Sequence, residues 1–356
     1  MKSLNKNSFI CFISTIALLI LATSCESSRV YQFTIDYMQP AKHSLSPEIS
    51  TIAMINNIKT DDSSNQSVSL AKWDVNTTDI YANMISSVAE TEYFDKIIIA
   101  KQKWIDPSKD VPKLSKETAQ GIIEELKPNA VVALEQLNAE DIITKSTGPY
   151  YIEGYNRITI SPAISVYENN AEVSHIQINL TDTLYIPEPS NENSKLHPAI
   201  ILDTGNIISK AIADILTTAI TPTWTNTERF LFSDEPLFKE ANKHYMKDMF
   251  DSAAENCKAV YENDNNDKNK MKAAHNTAVY NELQDNLIEA KDWVKKAIEI
   301  GKTAYNIEDD QLSDKTFLKK KQPDFYNCLT YLEELNKRIK QQGVVDKQLS
   351  KFEEEN

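Results

Sequence analysis

The spacing of apolar residues changes near residue 233, and this change constrains the fold more than any other feature of the chain. Before it, strand-like runs such as "VYQFTIDY" (30–37) alternate with helix-like ones such as "TDIYANMISSVAET" (78–91). After Asp234 the apolar residues recur at the three- and four-residue spacing of helices. The predicted fold class is α+β, in three successive parts: a mixed α/β sheet domain at 30–232, an all-α helical domain at 234–342 and a tail at 343–356.

The first of these parts alternates strands with helices. Further strands are predicted at 50–57, 93–100 and 129–137, and further helices at 115–127 and 204–220. This alternation favours a partly parallel sheet, because helices are the usual connections between parallel strands. Two runs with alternating apolar residues, 157–167 and 171–186, flank the polar "ENN" and predict an antiparallel hairpin.

Small residues repeat within the helical part. Three of them recur 37 positions later, since Ala241, Ala253 and Val260 correspond to Ala278, Ala290 and Ala297. This pattern resembles the tetratricopeptide repeat, in which small residues let two antiparallel helices cross closely. A last helix is predicted at 324–342, where it caps the repeats and ends at Gly343, and the tail beyond it is predicted to be frayed.

The resemblance implies a concave groove lined by the first helix of each repeat. The residues that face this groove by register are Phe238, Asn242, Tyr245, Met246, Lys272, His275, Val279, Glu282 and Leu283. Aromatic, methionine and amide side chains suit an extended peptide or a partner helix, so an envelope protein or peptide is the expected partner. The alternative is that the repeats pack on the N-terminal domain and bury this face internally.

The N-terminus has the features of a secretion signal. Two lysines precede an uncharged apolar run of 14 residues, from Phe9 to Ala22. A membrane-spanning helix needs about 20 residues, so the run is typical of a signal peptide. Its end, "LATS" followed by Cys25, resembles the bacterial lipobox. That resemblance implies that residues 1–24 are removed, that Cys25 is acylated, and that residues 25–29 form a short tether to the membrane.

The tether also bears on localisation. "ESSR" at 26–29 has no Asp at the second mature position, which removes the best-known retention signal of the inner membrane. We therefore expect a lipid-anchored protein of the outer membrane, with the periplasmic and surface faces both open. The alternative is an ordinary secretory signal cleaved elsewhere, which leaves Cys25 as a free thiol.

Charge and cysteine content limit the partners. Loss of residues 1–24 removes two lysines and no acids, so the formal net charge falls from −14 to −16. An acidic chain lacks the basic stripe of a nucleic-acid partner and is not adsorbed electrostatically on anionic lipid. Of the four cysteines only Cys257 and Cys328 remain in the mature chain outside the lipid site. We expect them to be small buried apolar groups, although the compartment permits a disulfide between them.

The sequence contains no recognisable catalytic pattern. It has no phosphate-binding glycine loop, no G-x-S-x-G elbow and no metal-ligand spacing among its histidines. We therefore expect no cofactor, no metal and no enzymatic activity. The alternative is an envelope enzyme or small-ligand receptor with its site at the strand ends of the α/β domain, where Glu135 and Asp203 are the carboxylates to test.

Two segments carry a wider resemblance. With "ITPTWTNTERFLF" (220–232) and "AAHNTAVYNE" (273–282), the chain resembles a group of uncharacterised Bacteroidetes lipoproteins. The resemblance implies a lipobox, an N-terminal α/β domain and C-terminal tetratricopeptide-like helices, and it implies no established activity. The expected function is that of a lipid-anchored, non-catalytic scaffold that binds another protein through its helices.

Overall fold

The structure, a computed structural model, describes residues 30–58, 75–100, 113–147, 152–169, 174–187, 198–234 and 236–352. Within these ranges the chain forms nine α-helices and eight strands, which confirms the α+β class. The chain divides into two compact units. The α/β unit comprises Met38–Thr225 and Gln341–Asn356, and the helical unit comprises Met1–Tyr37 and Asn226–Lys340. The predicted signal peptide, Cys25 and the tether lie outside the described residues.

The strands are β1 (Val30–Gln39), β2 (Thr51–Asn56), β3 (Lys96–Ile99), β4 (Ala130–Thr147), β5 (Ile152–Glu168), β6 (Ser174–Asn179), β7 (Asp182–Pro187) and β8 (Thr223–Phe232). The helices of the α/β unit are α1 (Thr77–Glu90), α2 (Lys116–Leu126) and α3 (Pro198–Ile220). Capping explains where two of them begin, because Asn76 and Ser115 accept hydrogen bonds from backbone N–H groups of the first turns.

One six-stranded sheet organises the α/β unit. Its order is β3-β2-β4-β5-β6, and β7 also pairs with β5. Strand β2 is parallel to both β3 and β4, and β5 pairs antiparallel with β4, β6 and β7. The predictions of a partly parallel sheet and of an antiparallel hairpin are thus confirmed. The crossovers that parallel pairing requires contain α1 and α2.

Both faces of the sheet are covered where β2 and β4 lie. Alternate residues of β2 point to opposite faces, so Ile52 and Met54 join a core with α1 and α3. Ala53 and Ile55 join the second core, which contains α2. This double coverage explains why β2 is an almost continuous apolar run.

The helical unit is built from six helices and the strand segments of β1 and β8 that fall within it. The helices are α4 (Lys239–Tyr245), α5 (Phe250–Asn263), α6 (Asp267–Glu282), α7 (Leu287–Tyr305), α8 (Lys315–Lys321) and α9 (Pro323–Leu349). Each of the three helices α4, α5 and α6 packs on the next one along the chain. Strands β1 and β8 pair with each other in a separate two-stranded sheet. None of the helices in the described ranges has the length and apolar content that a membrane span requires.

The C-terminal end differs from the prediction. Helix α9 does not end at Gly343 but continues to Leu349, and a 3-10 turn follows at Ser350–Phe352. Glycine in a helix interior costs about 1 kcal/mol. Tertiary contacts offset this cost, because Val345 and Gln348 are buried in the α/β unit. The prediction of a frayed tail was therefore wrong for residues 343–352.

Candidate functional site

Helix α6 is enclosed on all sides over most of its length. Every residue from Ala273 to Glu282 is buried. The helix therefore has no solvent-exposed polar face over these residues. Its buried polar side chains need hydrogen-bond partners inside the helical unit.

The first of these partners is the backbone of β8. The N–H of Phe232 donates to Oδ1 of Asn276 over 2.9 Å, and Nδ2 of Asn276 donates to the carbonyl oxygen of Phe232 over 2.8 Å. Nε2 of His275 lies 3.1 Å from the carbonyl oxygen of Phe230, which makes that nitrogen the donor. The face of α6 thus holds an extended strand by its main chain, as a peptide-binding groove would.

The second partner group surrounds Glu282, whose side chain is fully buried. Its carboxylate accepts hydrogen bonds from Nε and Nη2 of Arg229 at 2.7 and 3.0 Å. It also accepts from Nη1 of Arg338 and from the hydroxyl of Tyr331, both at 2.8 Å. Such bidentate, charge-assisted bonds are the strong ones in proteins.

Two exposed carboxylates complete this cluster. Nη1 of Arg229 lies 2.6 Å from Glu334, and Nη2 of Arg338 lies 2.6 Å from Asp285. Burial alone raises the pKa of Glu282, but the two guanidinium groups and the Tyr331 hydroxyl outweigh burial, and its pKa is lowered overall. Glu282 is therefore ionised in the folded protein, and the cluster is a structural ion network.

A cysteine and a histidine meet beside this network. Nδ1 of His275 lies 3.7 Å from Sγ of Cys328, and the imidazole stacks on Phe230 with ring centroids 4.5 Å apart. Burial lowers the pKa of His275 to about 4, and burial also raises the pKa of Cys328. A catalytic thiolate needs a lowered pKa. Both groups are instead neutral, and Cys257 and Cys328 are free thiols.

The nine residues predicted to line a partner groove have different environments. Four are buried, namely Phe238, His275, Val279 and Glu282. Four are half-buried, namely Asn242, Tyr245, Lys272 and Leu283, while Met246 is 71% exposed. Nζ of Lys272 is paired with Asp234 over 2.7 Å. Two of the buried residues, His275 and Glu282, contact β8 and α9 of the same unit.

Sequence reasoning missed the residues that occupy this face. Arg229 lies in "NTERFLF", where the alternating pattern predicts an outward-facing charged side chain. The helical pattern likewise predicts that Arg338 and Tyr331 lie on the polar face of α9. The available signal was an arginine within an otherwise apolar strand end, because a buried arginine requires a carboxylate partner.

A shallow pocket of ≈ 730 Å³ lies at the first turn of α7. Ile288 is 63% exposed there, and the buried Trp293 contributes to the pocket wall. The other lining residues are Asp285, Asn286, Leu287, Glu289, Asp292 and Lys296. An exposed aliphatic side chain with three surrounding carboxylates suits an apolar group flanked by cations.

The α/β unit contains a separate polar cluster around Glu135. This residue occupies a bulge between β4 and β5, at the carboxyl ends of the parallel pairing between β2 and β4. Its carboxylate accepts from Nδ2 of Asn57 at 2.5 Å and from the N–H of Leu114 at 3.1 Å. Burial raises the pKa of Glu135 more than these hydrogen bonds lower it. Ligands of open α/β sheets bind at such strand ends.

Ser165 and His175 belong to the same cluster. Nε2 of His175 lies 3.2 Å from Oγ of Ser165, and Ser165 also hydrogen-bonds Glu135. In a hydrolase triad the carboxylate orients the histidine. Here the carboxylate acts on the hydroxyl, so the arrangement is not that of a triad. The side chain of Asp203 lies outside the described residues, and the described ranges contain no group of three metal-ligating side chains.

Comparisons with known proteins assign the chain to a family. Residues 49–232, more than half of the chain, match the family described as domain of unknown function DUF8603, and the chain belongs to this family. Residues 239–337 match a second one, domain of unknown function DUF6340. No curated protein is significantly similar to the chain.

Several solved structures are weakly similar. A minor lipoprotein from Acinetobacter baumannii is 11% identical, over 46% of this chain and 93% of that one, with a TM-score of 0.19. A hypothetical protein from Chlamydia trachomatis is 15% identical, over 47% and 94%, with a TM-score of 0.25. A neuraminyllactose-binding hemagglutinin homologue from Helicobacter pylori is 13% identical, over 50% and 84%, with a TM-score of 0.24. At these TM-scores the similarity indicates neither a shared fold nor a shared function.

Proposed function

We propose that the protein is a lipid-anchored, non-catalytic scaffold of the bacterial outer membrane, and that its helical unit binds another envelope protein. The lipobox-like "LATSC" supports the anchor. Each buried methylene contributes about 0.8 kcal/mol, so the two or three acyl chains on Cys25 hold the protein stably at the membrane. The resemblance to uncharacterised Bacteroidetes lipoproteins supports the same location.

The packing of α4 to α7 supports the tetratricopeptide-like character of the helical unit. Five of the six residues of the 37-residue pattern are buried, with Ala253, Ala278, Ala290 and Ala297 at 0% exposure and Ala241 at 1%, and Val260 is half-buried. Short turns join α5 to α6 and α6 to α7, so neighbouring helices are antiparallel. Arrays of this kind generally serve protein binding.

The observation that carries the proposal is the exposed Ile288. Because β8 and α9 cover the face of α6, the protein partner docks instead at the first turn of α7. Ile288 supplies the apolar centre of this surface, and Asp285, Glu289 and Asp292 supply its acidic rim, in which Asp285 is paired with Arg338 and Asp292 with Lys295. The partner contributes an aliphatic or aromatic side chain with lysine or arginine beside it, since a central apolar anchor carries most of the energy of such contacts.

Affinity capture from envelopes of the native host tests this proposal. The baits are the full-length acylated protein, its Ile288→Ser variant and a Glu299→Ser control, which is exposed three turns further along α7. We expect an envelope protein that is retained by the wild type and the control and lost with Ile288→Ser, and whose purified form binds the bait directly. Equal capture by all three baits would contradict the proposal.

The second candidate function is binding of a small polar ligand by the α/β unit. The observation that favours it is the buried Glu135 on a bulge, because bulges and perturbed carboxylates concentrate at functional sites. A thermal-shift screen of small polar compounds on wild type and Glu135→Gln tests it. A compound that stabilises only the wild type would favour this function, and compounds that shift both proteins equally would argue against it.

A further inference from the structure

A second exposed apolar surface lies on the α4 side of the helical unit. It consists of Val30, Tyr31, Tyr245, Met246 and Met249, and we call it the α4 patch. Met246 is 71% exposed, Val30 and Met249 are 45% exposed, and Tyr31 is 42% exposed. The rings of Tyr31 and Tyr245 join the strand to the helix, with centroids 5.5 Å apart. Large exposed apolar side chains that adjoin one another mark an interaction surface.

The position of the chain's N-terminal strand shows what lies near this patch. Strand β1 begins at Val30, five residues after Cys25. An extended residue spans at most about 3.6 Å, so five residues span no more than about 18 Å. This step rests on the proposed acylation of Cys25. With that anchor in place, Val30 lies within about 18 Å and Tyr31 within about 22 Å of the acylated residue, and therefore close to the membrane surface.

The chemistry of the patch fits the interfacial region of a bilayer. Tyrosine concentrates at membrane interfaces, where its ring meets the acyl region and its hydroxyl meets water. Burial raises the pKa of Tyr245 to about 12, and a hydrogen bond with Tyr31 raises it too, so the Tyr245 phenol stays uncharged. Lys243 and Lys247 are exposed beside the methionines, and Lys243 is paired with Glu240 over 2.7 Å. The methylene stem of a lysine such as Lys247 can lie along apolar surface while its ammonium group reaches the headgroups.

The residues at the two ends of α5 also differ in polarity. Met249 precedes the helix at one end, and "NDNNDK" (263–268) follows it at the other. The 14 residues of α5 separate these ends by about 21 Å. One end of the helix thus presents the exposed Met249 between Asp248 and Asp251, whereas the other consists only of Asn, Asp and Lys. Such a difference is expected for a body with one end near a membrane and the other in water.

We propose that the α4 patch contacts the lipid surface of the membrane that holds Cys25. The contact is apolar and lies at the lipid–water interface, because a chain with this net negative charge is not attracted electrostatically to anionic lipid. It fixes the orientation of the helical unit on the membrane, so that the Asn-rich end of α5 points away from the bilayer.

Depth-dependent quenching tests this inference. The full-length acylated protein carries a fluorescent thiol label at Met246→Cys or at the control Asn265→Cys, both exposed in the structure. The unsubstituted protein serves as the labelling blank, because Cys257 and Cys328 are buried. The proteins are reconstituted in vesicles of phosphatidylethanolamine and phosphatidylglycerol that contain brominated lipid. We expect quenching several times stronger at position 246 than at 265, and a reduction at 246 when Tyr31→Ser and Met249→Ser are added.

The other outcomes separate the two proposals. Acylated protein whose label at 246 is not quenched, or is quenched no more than the label at 265, would overturn the inference and leave the anchor intact. A protein whose intact mass shows no acyl chains would refute the anchor and the inference together. Cross-linking of position 246 to a protein rather than to lipid in native envelopes would also overturn the inference.

Discussion

The carboxylate of Glu282 and the guanidinium of Arg229 form a fully enclosed, two-point ion pair, with Nε and Nη2 at 2.7 and 3.0 Å from the two carboxylate oxygens. The pair connects the last turn of α6 to β8, 53 residues earlier in the chain. The Glu282 side chain is fully buried and that of Arg229 is 5% exposed, so the buried carboxylate depends on its guanidinium partners. This relationship fixes the strand on the helix face that a partner would otherwise use.

Removal of the buried carboxylate will destabilise the helical unit. Glu282→Gln leaves Arg229 and Arg338 in a buried site without their shared anion, and breaking a buried pair in this way costs about 3–5 kcal/mol. Urea unfolding followed by circular dichroism measures the change. The control is Glu299→Gln on the exposed side of α7, for which we expect a change within about 0.5 kcal/mol. Equal effects of the two substitutions would show that the network is not a stability determinant.

The stability of the folded protein will depend on pH through the protonation of His275. Burial lowers the pKa of His275 from 6.5 to about 4, so the folded protein holds the neutral imidazole. The unfolded chain binds the proton first, and stability is therefore fully present above about pH 6.5 and is lost as the pH falls toward 4, by about 3 kcal/mol. His275→Gln should flatten this part of the profile. A wild-type profile that stays flat over the same interval would contradict the assignment.

Replacement of two helical glycines by alanine will change the stability of the protein in opposite directions. A Cβ on Gly301 would lie 2.7 Å from Cδ2 of Phe325 and 3.0 Å from Sδ of Met271, whereas a Cβ on Gly343 would meet nothing within 4 Å. We expect Gly301→Ala to destabilise by about 1–3 kcal/mol through overpacking. Gly343→Ala should stabilise by about 0.5–1 kcal/mol, the helix-propensity gain. Thermal unfolding of the two variants compares them directly, and a stabilising Gly301→Ala would contradict the packing.

The end of α9 will prove to be a structural part of the α/β unit. Oε1 of Gln348 accepts from the N–H of Ala41 at 3.0 Å, and Nε2 donates to Oγ of Ser44 at 2.7 Å. Gln348→Ala leaves a buried N–H without a partner, which costs about 1–3 kcal/mol. Hydrogen exchange at Ala41 should accelerate in this variant and stay slow in the exposed control Lys347→Ala. Fast exchange at Ala41 in the wild type would refute the contact.

The elements predicted well from sequence are those that local periodicity specifies. Ile80, Met84 and Val88 recur at helical spacing and are all buried in α1. The cap at Ser115 and the hairpin of β5 and β6 were readable for the same reason, since turn and cap residues act over a few positions.

What the sequence did not reveal depends on distant partners. Strand β8 pairs with β1, whose Gln39 contacts Thr223 over a separation of 184 residues, and no local signal specifies that pairing. Glu282 was predicted to line a groove, and its buried environment depends on Arg229 and Arg338, which lie in β8 and α9. Local propensity likewise favoured an end at Gly343, and burial of Val345 and Gln348 outweighed it. Whether a groove is open is thus decided by tertiary contacts.

Anchoring through Cys25 is the central claim, and intact mass together with membrane partition of the protein from its native host tests it most directly. The wild type is compared with Cys25→Ala after separation of inner and outer membranes. We predict that the wild type begins at Cys25, carries the mass of its acyl chains and enters the outer-membrane fraction, and that the variant has neither the added mass nor the membrane association. A variant that keeps the same mass increment and partitions like the wild type would contradict the account.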